Sequence, residues 1–421
     1  MCKQPKYYKS DVWRRHIVLM QPLPSVAFEC GAEVYSEFAS LGLAILGGWL
    51  RLNGMEQVEI LYPKSAAEAV DGIRDADVVI LGDFRYYSYF CNPKPLLVRI
   101  IDALKTENFD GLIVLAGRHS AYMKELGSSR VYVCSSISDS ANVLGVPELA
   151  SVLGNGSLPM PAEAPADLLV AKDLNGSASR PITGIIGQVL IRSGCLYRCG
   201  FCEKAGQKTK YIGNTMLRKH LVGLREIGTK YLVVWDDTFG ELGRSYDEVL
   251  RLLRDVEIPF GCNTRADLLT DRFAEKLAES GCREVLVGIE VSPWEEEARN
   301  ALGMSRRKAL KADRLLATVD RLANRGIKPV GSVIIGLPED NAERIEERIN
   351  ACFRLGFQHL YVRPLVPFPE SLLYREQVAN GMLTRFEYWT TEAWNTYPHG
   401  YPTVCATVRR EQLCGYATRA N

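Results

Sequence analysis

The sequence predicts an α/β chain: an N-terminal doubly wound, Rossmann-like domain followed by a partial (β/α)6 barrel. Three observations predict it. Short apolar runs alternate with helical segments through residues 16–150. A stretch rich in Gly, Pro and small residues then breaks the alternation at 151–183. Six further strand candidates, separated by helical segments, fill 184–381.

In the first domain, 1–150, the apolar run at 16–19 leads into Gln21-Pro-Leu-Pro24. A helical segment at 37–52 stops at Asn53-Gly54, residues that tolerate the left-handed turn closing a helix. Residues 58–61 read as a strand and 66–73 as a helix. Residues 77–81 are apolar without alternation, the pattern of a strand covered on both faces. A helix at 95–104, a buried strand at 112–116 and a short strand at 131–133 complete the set. Ligands of such sheets bind beyond the carboxyl ends of the strands.

The segment 151–183 reads as a linker, with 154–165 its richest part in Gly and Pro. Barrel strands are expected at 186–191, 231–235, 259–263, 284–290, 329–335 and 360–362, and helices at 271–279 and 306–324 among others. In barrels of this kind chemistry sits at the strand C-terminal ends. Residues 382–421 read as a short C-terminal extension, aromatic and less regular, too small for a substantial further domain.

A length of 421 residues suggests two or three domains. A net charge of +1 gives no bulk attraction to nucleic acid or a membrane surface, so neither is an expected partner. The first ten residues lack an apolar signal core, and no apolar run reaches the roughly eighteen residues of a membrane span. Twelve cysteines without a secretory signal point to a reducing cytoplasm rather than a disulfide scaffold.

Cys195, Cys199 and Cys202 form the run C-x3-C-x2-C, with Phe201 directly before the third cysteine. One loop thus offers three thiolates, the usual ligands of iron–sulfur clusters. A cubic four-iron cluster needs four ligands, so one iron stays open to something that is not protein, as in an open zinc site. A structural zinc site would want a fourth Cys or His nearby, and only His220 follows within forty residues.

This loop, placed after the first barrel strand, resembles that of the radical S-adenosylmethionine (SAM) enzymes. The resemblance implies a [4Fe-4S] cluster whose open iron chelates the amino and carboxylate groups of SAM. It also implies one-electron reduction by a low-potential donor such as flavodoxin or ferredoxin, and a 5′-deoxyadenosyl radical that abstracts hydrogen from substrate. The run Asp236-Asp237-Thr238-Phe239 is similar to the Asp-Asp-x-Phe of members with an N-terminal cobalamin-binding domain. Other members carry Gly-Gly-Glu there, against the SAM amino group. Asp236 and Asp237 are therefore expected to accept from that ammonium or to face substrate, with a helix cap as the structural alternative.

Asn263-Thr-Arg265-Ala-Asp267 looks like the family's Asn/Cys-x-Arg-Ala-Asp segment, in which Arg265 would clamp a carboxylate and Asn263 a ribose hydroxyl. A surface ion pair is the alternative for Arg265. Glu290, closing an apolar strand, is implied to bind the adenosyl ribose or its neighbours. The turn at Gly336 and Pro338 resembles one beside the adenine, where glycine admits a flat ring. Residues 363–374 depart from the family's Pro-Gly-Thr-Pro-Leu-Tyr ending at Glu370 and Ser371, a departure expected to bear on substrate. The resemblance covers 184–381 closely.

Residues 16–150 resemble the cobalamin-binding domain of one large subclass. Ala116-Gly117-Arg118-His119 stands where that subclass has Gly-Gly-Pro-His, which makes His119 a candidate cofactor contact. No Asp-x-His-x-x-Gly is present to ligate cobalt through that motif, and the aromatic run 84–90 stands where small residues would admit a nucleotide tail. If cobalamin binds, the resemblance implies radical C-methylation of a small-molecule substrate. The alternative is a cobalamin-free radical dehydratase or rearrangement enzyme with a degenerate N-terminal domain. A third reading is a non-catalytic metal-binding scaffold. Cys405 and Cys414 read as core or surface thiols, and His220 and His359 as structural.

Overall fold

Two parallel sheets carry the chain, one in each of two compact units. The structure, a computed structural model, describes residues 16–20, 46–48, 50–51, 55, 57–61, 63, 65–73, 75–83, 94–117, 126–128, 131–133, 186–240, 246–304, 311–368, 371–381 and 404–420. Those up to 133 belong to the first unit and those from 186 onward to the second.

The first unit contains β1 (Ile17–Met20), β2 (Val58–Leu61), α1 (Ala66–Asp71), β3 (Val78–Asp83), α2 (Lys94–Thr106), β4 (Leu112–Gly117) and β5 (Val131–Val133). All pairings are parallel, in the order β2-β1-β3-β4-β5, with Ile17 opposite both Val58 and Val78. Every residue of β1 is buried, as an apolar strand covered on both faces must be. Ser65 starts α1 by accepting from the Glu68 N–H at 3.2 Å. Val18, Met20, Val79, Leu81, Leu97, Ile101 and Leu115 share one core. The strand order reverses between β1 and β3, so the expected ligand crevice of such a sheet lies beyond Met20 and Asp83. The prolines at 22 and 24, the aromatic run 84–90, His119 and the linker 151–183 fall outside the described residues, as does most of the helix expected at 37–52.

The second unit begins with β6 (Ile186–Val189), β7 (Arg192–Ser193), β8 (Lys210–Tyr211), α3 (Asn214–Glu226), β9 (Tyr231–Val234), α4 (Tyr246–Asp255), β10 (Phe260–Arg265) and α5 (Asp271–Glu279). It continues with β11 (Cys282–Glu290), α6 (Glu296–Ala301), α7 (Ala312–Ala323), β12 (Lys328–Ile335), α8 (Ala342–Arg354), β13 (His359–Pro364), α9 (Leu372–Ala379) and α10 (Arg410–Ala420). Six strands lie in chain order, β6-β9-β10-β11-β12-β13, all parallel, while β7 and β8 form a separate antiparallel ribbon. Burial alternates with period two: Leu232, Val234, Val285, Val287 and Ile289 are buried, whereas Tyr231, Val233, Leu286 and Gly288 are half-buried. One face of the sheet is packed and the other partly open.

Two expectations change. The strand expected at 186–191 ends at Val189, and the Ile191 and Arg192 N–H groups turn to the Asp236 side chain instead. The extension expected to be irregular contains α10, which packs on β13 and buries Leu413, Cys414 and Ala417. Cys405 and Cys414 are core thiols. His220 is buried and bonds the Gln188 carbonyl at 2.8 Å, while His359 is exposed. No helix among the described residues is long and apolar enough to cross a membrane.

A side chain at Gly331 has no room: its Cβ would lie 2.9 Å from Leu360, 3.0 Å from Ile289 and 3.2 Å from Phe357. Gly331→Val is expected to destabilise the second unit by about 1–3 kcal/mol through overpacking. Urea unfolding measures this, and an unchanged midpoint would contradict the packing described.

Candidate cluster-binding site

The three cysteines lie on the loop between β7 and β8, just past the C-terminal end of β6. Backbone bonds fold this loop tightly: Cys202 N–H to Cys199 O at 3.1 Å, Ala205 N–H to Cys202 O at 3.3 Å, and Gly206 N–H to Tyr197 O at 2.7 Å. Gly194 enters the loop with φ +86°, and a Cβ there would stand 2.6 Å from the Lys208 carbonyl oxygen. The tip is clamped from two sides, Gly200 N–H to Leu302 O at 2.9 Å and Leu373 N–H to Gly200 O at 3.0 Å. Phe201 packs against the apolar cluster of Val291, Leu302, Met304, Ile334, Leu337, Leu365, Leu373 and Val404.

Cys195 and Cys199 are buried and Cys202 is half-buried. The Cys195 Sγ lies 3.7 Å from Thr238 Oγ1, and the Lys204 N–H donates to Cys202 Sγ at 3.4 Å. Burial pushes the Cys202 thiol up to about 12, so a metal binding there must displace its proton. Among the described residues, no group of three or more Cys, His, Asp and Glu converges closely enough to hold a single ion. A cubic cluster makes no such demand, since each thiolate takes a different iron. Three soft donors on one glycine-bearing loop, one already receiving a backbone N–H, fit an iron–sulfur cluster.

Asp236 is wholly buried at the end of β9. Its Oδ1 accepts from the Ile191 and Arg192 N–H groups at 2.8 and 2.9 Å, and its Oδ2 from the Tyr246 hydroxyl at 3.3 Å. Oδ1 thus holds the stem of the cysteine loop and Oδ2 faces α4, so both oxygens have partners within the chain. Asp237 is half-buried, and its Oδ2 accepts from the Gly194 N–H at 2.7 Å. Asn263 donates to the Asp236 carbonyl at 2.7 Å. Arg265, 4% exposed, forms two 2.8 Å bonds to the Asp267 carboxylate and stacks 3.6 Å over the Tyr197 ring. Its fork holds a carboxylate of this chain, a buried form of the ion pair named as the alternative to a ligand clamp.

Glu290 is buried, with φ +66°, at a register shift in the β11–β12 pairing. A glutamate in the left-handed region costs on the order of 1–3 kcal/mol and depends on its surroundings to persist. Gly336 has φ +81°, and the side chain of Leu413 lies 2.7 Å from where its Cβ would be. Its N–H donates to Asp340 Oδ2 at 2.8 Å, and Pro338 is half-buried. Ser371 is fully buried and caps α9, donating to Phe368 O at 2.6 Å and accepting from Tyr374 N–H at 3.1 Å. That is a structural task where a substrate role was expected; Glu370 lies outside the described residues. Tyr197, Thr238, Asp340 and Arg348 join the site without a sequence signal, because their partners are distant in the chain or are backbone atoms.

Residues 189–352 match the family model described as the Radical SAM superfamily. An uncharacterized methyltransferase of Pyrococcus horikoshii is 28% identical over 204 residues, which are 47% of this chain and 43% of that relative. The match thus spans less than half the length of the curated relative. The methyltransferase TsrM from Kitasatospora setae, with cobalamin and a [4Fe-4S] cluster bound, has the same fold over 88% of this chain and 76% of its own. Its TM-score is 0.62 at 15% identity. The structure of TsrM with tryptophan substrate and a SAM analogue gives 0.61 at 15% identity, over 88% of this chain and 77% of that one.

Asp236 also predicts a pH dependence. Burial, partly offset by its two backbone bonds, pushes its carboxyl from 3.8 up to about 7. Between those values the folded chain keeps a proton that the unfolded chain has lost, so stability falls as pH rises through this window. Asp236→Asn keeps an acceptor for both N–H groups and cannot ionise. Relative to this variant, the wild-type apoprotein should lose up to about 4 kcal/mol between pH 4 and 8, by denaturant titration. A difference independent of pH would contradict the burial described.

Proposed function

We propose that the protein is a cobalamin-dependent radical SAM C-methyltransferase acting on a small molecule, on the premise that residues 189–352, which match the Radical SAM family model, form a radical SAM domain. The observation that carries the reading is the loop of Cys195, Cys199 and Cys202 at the carboxyl end of the first strand of a six-stranded parallel sheet. A [4Fe-4S] cluster held there, with SAM on its open iron, would supply a 5′-deoxyadenosyl radical for hydrogen abstraction.

In this reading Asp237 is the member of the acidic pair that faces the SAM ammonium. Asn263 and Glu290 serve the ribose, and the turn at Gly336 and Pro338 lies against the adenine. Asp236 and Arg265 act one step removed, the first through the stem of the cysteine loop and the second through Tyr197. Phe201 is the apolar wall beside the third thiolate. Electrons come from a low-potential donor such as flavodoxin or ferredoxin, in the reducing cytoplasm that such a cluster requires.

The cobalamin assignment draws on the first unit. Its sheet reverses order between β1 and β3, which supports a ligand beyond their carboxyl ends. The fold likeness to TsrM and the methyltransferase name of the Pyrococcus horikoshii relative favour the same reading. His119, two residues beyond β4 in the sequence, is then a cobalamin contact.

Anaerobic reconstitution with iron, sulfide and hydroxocobalamin tests this. After desalting, near-stoichiometric cobalt and a product one methylene heavier are expected. An intact cluster without cobalt would overturn the methyltransferase reading in favour of cobalamin-free dehydration or rearrangement.

A further inference from the structure

Arg348, on α8, is 1% exposed at its side chain and is among the largest fully buried residues. Its guanidinium reaches two carboxylates and a backbone carbonyl. Nε donates to Glu295 Oε1 and Oε2 at 3.1 and 2.8 Å, and Nη2 to Glu295 Oε1 at 2.7 Å. Nη2 and Nη1 also bond Asp340 Oδ1 and Oδ2 at 2.6 and 2.7 Å, and Nη1 reaches Ile334 O at 2.9 Å. Each carboxylate in turn holds one turn at the edge of the sheet. Glu295 Oε2 accepts from Ser292 N–H at 3.0 Å, just after Glu290. Asp340 Oδ2 accepts from the Gly336 and Leu337 N–H groups at 2.8 and 3.0 Å. The Asp340 carbonyl accepts from Cys405 Sγ at 3.3 Å and from the Thr407 hydroxyl, which ties residues 404–407 to the same point.

A buried ion triad of this kind is weak as a source of stability, because desolvating three charges offsets their attraction and well-packed apolar residues often do as well. What the planar fork supplies is geometry: it fixes two carboxylates at set directions, which a point charge cannot do. Glu290, two residues before the first of these turns, has a positive φ whose strain persists only where its surroundings enforce it, and Gly336 supplies the positive φ of the second turn. We infer that Arg348 is a positioning residue for SAM, holding the turns after β11 and β12 in the one arrangement that receives the adenosyl group. The inference rests on the proposal that these turns bind SAM.

The test uses Arg348→Lys, which keeps the charge and loses the fork, and Glu295→Gln, a milder change at a partly exposed side chain. Both are reconstituted anaerobically beside wild type. Iron and sulfide content are measured, and SAM is titrated against the electron paramagnetic resonance spectrum of the reduced cluster. SAM dependence of 5′-deoxyadenosine formation gives KM and kcat. The expected result is unchanged cluster content, SAM affinity lowered about tenfold or more, and KM raised while kcat at saturation stays within about twofold. Wild-type SAM affinity in both variants would overturn the inference alone. So would SAM binding lost only in proportion to the cluster, which marks a folding role. Wild-type protein that assembles its cluster but binds no SAM would overturn the proposed function itself.

Discussion

A buried carboxylate decides where the first barrel strand stops and the cysteine loop starts. Asp236 takes the N–H groups of Ile191 and Arg192 out of the sheet ladder, and the chain leaves the strand at that point. Burying a charge-bearing group without partners would cost several kcal/mol, and three hydrogen bonds offset that cost. Its neighbours extend the brace. Asp237 holds Gly194, and Thr238 sits beside Cys195 while its carbonyl receives the Arg192 guanidinium at 3.0 Å. Phe239 anchors the run in an aromatic cluster, 4.9 Å from Tyr246, 6.2 Å from Phe260 and 6.3 Å from Phe273.

The same logic repeats across the sheet edge. Arg265 is fixed by Asp267 and supports Tyr197 from below, so the cysteine loop rests on a charged platform. Beyond it Arg348 binds two carboxylates, each of which holds a turn. A parallel sheet delivers its strand ends to one edge but leaves the loops there without ladder partners. Buried polar groups supply those partners, and every member of such a network matters because a half-satisfied one is costly.

The sequence made the layout legible where period and punctuation were strong. The strand at 58–61 carries its bounds in the chain, and the three cysteines declare their chemistry by spacing. Asp236 was visible as an acid at a strand end, but its two backbone partners lie 44 and 45 residues upstream, and no residue pattern encodes them. Arg265 and Asp267 are two residues apart, so an ion pair was legible as an alternative to a ligand role, but not its burial beneath Tyr197. Arg348 shares the buried face of α8 with Ile345, Ala351 and Cys352, but the spacing says nothing of which carboxylates it meets there. Helix α10 escaped notice because its buried face uses Cys414 and Ala417 beside Gly415, small residues with little apolar signal.

The central claim is that Cys195, Cys199 and Cys202 hold a cluster that cleaves SAM reductively. The most direct measurement is 5′-deoxyadenosine formation by the reduced, reconstituted protein, wild type against Cys199→Ala, with iron content determined on the same samples. The account predicts formation by wild type, and loss of both cluster and product in the variant. Product formed by the variant, or none formed by a wild-type protein with its full iron complement, would contradict it.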